Sequence, residues 1–128
     1  MSTILLVEQD ASERDAFVRA VGAGYRVIAV GALSEAWANL VDADVLVVGL
    51  EQSADADLTI LDRVHALRPG LPVVLTAPAT LHGWQMLRAG MRLGAREFLT
   101  KPFDEQEVSQ TIRVATHVEG PESSSLPV

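Results

Sequence analysis

At 128 residues, with apolar residues making up 48% of the chain and charged ones 21%, the protein has room for one domain and is far too apolar to stay disordered. Ten basic against seventeen acidic residues leave a net charge of -7, which repels phosphate backbones and argues against nucleic acid as a partner of this domain. The absence of cysteine removes disulfides, thiolate catalysis and zinc–thiolate sites, and His65, His82 and His117 lack the close spacing of a histidine metal site.

Ile4-Leu5-Leu6-Val7 is a short apolar run ended by polar residues, the pattern of a strand buried on both faces. Neither this run nor Val45–Leu50 approaches the roughly 20 residues of a membrane helix. Met1-Ser2-Thr3 carries neither the basic residue nor the cleavage site of a secretory signal, so a cytoplasmic protein without membrane attachment is expected. Asp10 is placed to cap a first helix, with Glu13 at capping-box spacing and Phe17, Val18 and Val21 on its apolar stripe. Gly22 and Gly24 end it. Arg26–Val30 reads as a second strand. Ser34–Val41 reads as a second helix with Trp37, Leu40 and Val41 on one side, and Val45–Val48 as the third and most apolar strand.

Leu58, Leu61, Val64, His65 and Leu67 recur at helical spacing until Pro69-Gly70. Pro72–Thr76 is a fourth strand, Leu81–Leu93 a fourth helix and Glu97–Leu99 a short fifth strand. Asp104 with Glu107 repeats the capping-box spacing before a fifth helix through Val108, Ile112 and Ala115. Strands separated by helices cannot pair as hairpins, so the alternation predicts a doubly wound, five-stranded parallel sheet with five helices in three α/β/α layers. The domain is expected over residues 1–118. Residues 119–128, with their Gly, Pro and Ser, have the composition of a flexible linker or tail.

Ligands of such sheets bind at the carboxyl ends of the strands, where strand order reverses. The residues there are Glu8-Gln9-Asp10 after strand one, Gly49-Leu50-Glu51 after strand three, Thr76-Ala77 after strand four and Lys101-Pro102 after strand five. With Gly94–Phe103 and the order of the elements, these segments make the stretch from Ile4 to about His117 resemble the receiver domain of bacterial response regulators, a flavodoxin-like (CheY-like) fold. The resemblance implies two-component phosphorelay signalling, in which an aspartate ending strand three takes a phosphoryl group with magnesium bound beside it. It also implies a cis bond before Pro102 and a switch aromatic at Phe98.

Here the acceptor position falls on Gly49, and Gln9 replaces a metal-binding carboxylate with an amide. No cofactor is expected, and magnesium binding is expected to be weak or absent, because few hard anionic oxygens remain. Lys101, the only lysine, is expected to pair with Glu8, with Glu51 as a further partner. Glu51 is set aside as an acceptor, because the resemblance gives that position a role only through its backbone oxygen. Thr76 is either a remnant of the site or a strand-end threonine. Without a phosphoryl signal, Phe98 is read as a core aromatic.

Arg88, Arg92 and Arg96 recur four apart and reverse the chain's acidic balance locally. The resemblance makes the fourth helix, fifth strand and fifth helix a partner face, on which these arginines either meet an acidic partner or form an ordinary solvated face. Trp84, Leu87 and Met91 form another stripe and are expected in the core. The expected function is therefore an atypical receiver, a non-enzymatic and phosphorylation-independent module that works by contact with a protein partner, an output domain or a second copy. The alternatives are a conventional phosphorelay receiver with an unusual acceptor, and the N-terminal localisation module of a pilus-assembly ATPase. A small flavodoxin-like enzyme or nucleotide binder is disfavoured, since no glycine-rich phosphate loop follows strand one.

Overall fold

The computed structural model of the chain describes residues 2–50 and 54–117. Its strands β1 (Ser2–Val7), β2 (Tyr25–Val30), β3 (Val45–Gly49), β4 (Val73–Pro78) and β5 (Glu97–Lys101) form one parallel sheet in the order β2-β1-β3-β4-β5. The sheet lies between α1 (Ala11–Val21) and α4 (Glu105–His117) on one face and α2 (Ala54–Leu67) and α3 (Leu81–Arg92) on the other. The alternation within β1 shows why its run Ile4–Val7 is apolar throughout. Ile4 and Leu6 pack with Phe17, Val108 and Ile112, while Leu5 and Val7 pack with Leu40, Leu61 and Leu87. Each such leucine contributes about 1.5–3 kcal/mol by leaving water.

The capping residues read from the sequence serve as expected. Asp10 accepts from the Ser12 and Glu13 amides at 2.8 and 3.2 Å, and Asp104 accepts from the Glu107 amide at 3.0 Å. The second helix is the departure, for it consists of two 3-10 segments, Leu33–Glu35 and Trp37–Asp42. Ala32 offers no side chain to cap it, and the first turns close through Ala36 N to Leu33 O and Asn39 N to Ala36 O, both 2.9 Å. Its terminal carbonyls are satisfied from outside, where Arg68 Nη1 reaches Leu40 O at 2.6 Å and Val41 O and Ala43 O at 3.2 Å. The tighter turns therefore leave these carbonyls with a partner. The expected tail, 119–128, lies outside the described residues. No helix among the described residues is long and apolar enough to cross a membrane.

Candidate functional site

Chain order reverses between β1 and β3, so their carboxyl ends define the crevice. Glu8 follows β1 and is tied to β2 by its amide, which donates to Val30 O at 3.0 Å. Gly49 ends β3 in register with Thr76 of β4, and Leu50 N donates to Thr76 O at 2.8 Å. Lys101 ends β5. These elements bring three of the expected residues to one point above Gly49.

The Glu8 side chain is only 1% exposed and lies over the bare Gly49 backbone. A Cβ placed on Gly49 would overlap Glu8 Oε1, stand 3.0 Å from Glu8 Cδ and lie 3.4 Å from Thr76 Oγ1. Lys101 Nζ is 2.8 Å from Glu8 Oε1, an ion-pair distance without hydrogen-bond alignment, and the Lys101 side chain is 10% exposed. Glu8 Oε2 accepts from the Asp10 amide at 3.1 Å. The pairing of Lys101 with Glu8 read from the sequence is thus present, while Glu51 lies outside the described residues. The Thr76 hydroxyl is fully buried and has no hydrogen-bond partner among the described residues.

Gln9 stands apart from this pair. Its side chain is exposed at the mouth of a cavity of about 280 Å³, which Gly31, Leu33 and Gly49 also line. Asp10 is turned away to cap α1, and its carboxyl is held below the usual carboxylate range, mainly by the Ser12 hydroxyl, then by the Glu13 and Ser12 amides. Pro102 is exposed and follows a cis peptide bond with Lys101. Sequence reasoning missed Arg14, whose Nη1 binds Glu8 O at 2.7 Å and Gln9 O at 3.2 Å and so fixes the β1–α1 turn. Its only signal is its place one turn into a helix that starts at the crevice. Among the described residues no three His, Asp or Glu side chains cluster as metal ligands.

The outer face of α3 corrects two expectations. Gly83, Met86, Leu87 and Gly90 take its buried side, at helical spacing. A Cβ on Gly83 would strike Pro78 O, so the glycine lets α3 approach β4 closely and fixes which stripe faces inward. Leu87 is therefore core, but Trp84 and Met91 are 45% and 37% exposed. Phe98 is no core aromatic either. At 38% exposure it meets Trp84 edge-on, with ring centroids 5.6 Å apart. Both rings line a groove of about 360 Å³ with Arg88 and Met91. Arg88 and Arg92 are exposed on the helix, and Gly94 turns the chain at φ 111° between them and Arg96, which lies beyond the helix. Arg96 pairs its amide with Val73 O at 2.8 Å, and its Nη1 is buried without a hydrogen-bond partner among the described residues.

No protein-family model matches the chain. A curated relative, protein-glutamate methylesterase/protein-glutamine glutaminase 1 of Paramagnetospirillum magneticum, is 29% identical over 111 residues. The match covers 83% of this chain and only 29% of the relative's length. Among solved structures, a pilus assembly-related protein of Burkholderia pseudomallei is 26% identical, with 91% of this chain and 90% of that one covered and a TM-score of 0.74. The N-terminal signal receiver domain of a two-component response regulator of Bacteroides fragilis is 21% identical, with 91% and 97% covered and a TM-score of 0.81. The structural neighbours thus include response-regulator receiver domains, and the fold is CheY-like.

Proposed function

We propose that this chain is a receiver-like signalling module that acts through protein contacts and without phosphorylation. The observation that carries this reading is the space above Gly49, where β3 ends without a side chain and, among the described residues, the carboxylate in contact belongs to Glu8. An acyl phosphate requires a carboxylate oxygen free to attack, and those of Glu8 face the Lys101 ammonium and the Asp10 amide. Magnesium does not fit the same residues. It needs several hard anionic oxygens, whereas Glu8 is committed, Gln9 is neutral and Asp10 caps α1. Incubation with acetyl phosphate and magnesium should leave the intact mass unchanged. A hydroxylamine-labile gain of one phosphoryl group would overturn the proposal in favour of a phosphorelay receiver with an unusual acceptor.

In this reading the output is carried by α3, β5 and α4. Arg88 lines a groove with the exposed pair Trp84 and Phe98, and Arg92 is exposed one turn further along α3, a combination suited to an acidic partner with an apolar anchor, either an output domain or a second copy in a homodimer. The domain acts in the cytoplasm, without catalytic groups of its own and without binding nucleic acid or membrane. A more specific version makes it the N-terminal localisation module of a pilus-assembly ATPase. It is favoured by the 26% identity to the Burkholderia pseudomallei protein across 91% and 90% of the two chains. A fluorescent fusion that forms discrete foci, lost on Arg88→Glu, would support that version; a uniformly diffuse fusion would refute it.

A further inference from the structure

We infer that Glu8 and Gly49 are a compensating pair: Glu8 is the crevice's own resident anion, latching β1 to the β5–α4 junction through Lys101, and position 49 is glycine because the carboxylate lies where a side chain would begin. The nearest obstacle to a Cβ on Gly49 is Glu8 itself, through Oε1 and through Cδ at 3.0 Å; Thr76 Oγ1 at 3.4 Å is an ordinary contact. The carboxylate is not free to step aside. It is 1% exposed, with Lys101 Nζ 2.8 Å from one oxygen and the Asp10 amide 3.1 Å from the other.

The latch reaches beyond the crevice. Lys101 leads through Pro102 to Phe103, whose ring packs edge-on against Phe17 of α1 with centroids 5.5 Å apart, just before α4 begins. Glu8 therefore holds the start of the α4 connection from the opposite side of the crevice. An aspartate restored at position 49 would displace Glu8 rather than join it, so one substitution would not rebuild an acceptor site. This deepens the reading of the crevice as one without an acceptor. Its test uses no phosphoryl donor, so failure here and failure of that reading are separate results.

The sole lysine makes the test direct, because isotope-labelled lysine gives a single side-chain ammonium resonance. The chains to compare are wild type, Glu8→Gln, Gly49→Ala, Glu8→Ala and Glu8→Ala combined with Gly49→Ala. Glu8→Gln should shift or abolish the ammonium signal while the fold persists. Gly49→Ala should do the same and lower Tm by about 10 °C, the loss expected when a buried pair is broken. Added to Glu8→Ala, Gly49→Ala should change neither Tm nor the signal further. An equal cost of Gly49→Ala in both backgrounds, or a wild-type ammonium signal in Glu8→Gln, would overturn the inference. A Gly49→Ala chain that folds only alongside Glu8→Ala supports it, and one that folds in neither background refutes it.

Discussion

Lys101→Met removes the cation from a pair whose members are 10% and 1% exposed. Removing one partner of a buried pair typically costs about 3–5 kcal/mol, most of it the penalty of leaving the other charge stranded. The slight exposure of Lys101 and the amide of Asp10 on the second carboxylate oxygen both soften that penalty, so the lower end, about 3 kcal/mol, is expected. In a domain of this size that is a fall of roughly 10 °C in Tm. Urea unfolding followed by circular dichroism measures it, with an unchanged slope showing that the midpoint shift is a stability change. Glu8→Gln combined with Lys101→Met removes both charges and should recover most of the loss, since no ion is then stranded. The difference should also persist at high salt, because burial shields the pair from screening. A Lys101→Met chain within about 0.5 kcal/mol of wild type would refute the reasoning, since that is the effect of an ordinary surface substitution.

Two further outcomes are expected. Asp10 has a carboxyl held low in the folded chain, so its contribution to stability is present above the usual carboxylate range and is lost as pH falls through the lowered folded value. Asp10→Ala should therefore be less stable than wild type at neutral pH and converge with it in strong acid, as urea midpoints across that range would show. Gly83→Ala places a Cβ on the Pro78 carbonyl and should destabilise by about 1–3 kcal/mol through overpacking, although alanine is the better helix former. A stabilised Gly83→Ala chain would mean that α3 does not sit as close to β4 as described.

The sheet was legible because strands buried on both faces leave unbroken apolar runs, and Ile4–Val7 and Val45–Val48 have no other economical reading. The Glu8–Lys101 pair was legible because both residues lie at the carboxyl ends of strands in the same sheet and the chain has one lysine to offer. What stayed hidden depends on distances between elements. Spacing alone gives Trp84 a place on an apolar stripe; the approach of Gly83 to Pro78 decides that a different stripe faces inward. Nor does spacing show Arg68, which arrives from just beyond α2 to donate to three carbonyls at the end of the 3-10 turns. The seat above Gly49 had a faint signature, a longer acid ending one strand opposite a residue without a side chain on its neighbour. Its meaning emerges only when the sheet brings the Glu8 carboxylate over Gly49.

The one lysine of the chain sits in the crevice, and every other Lys or Arg position is an arginine. A guanidinium keeps its charge at any pH a cell reaches and is not a target for acylation. The positive charge of Arg88 at the groove is consequently a constant of the surface. Neither alkaline conditions nor lysine acetylation can dim it.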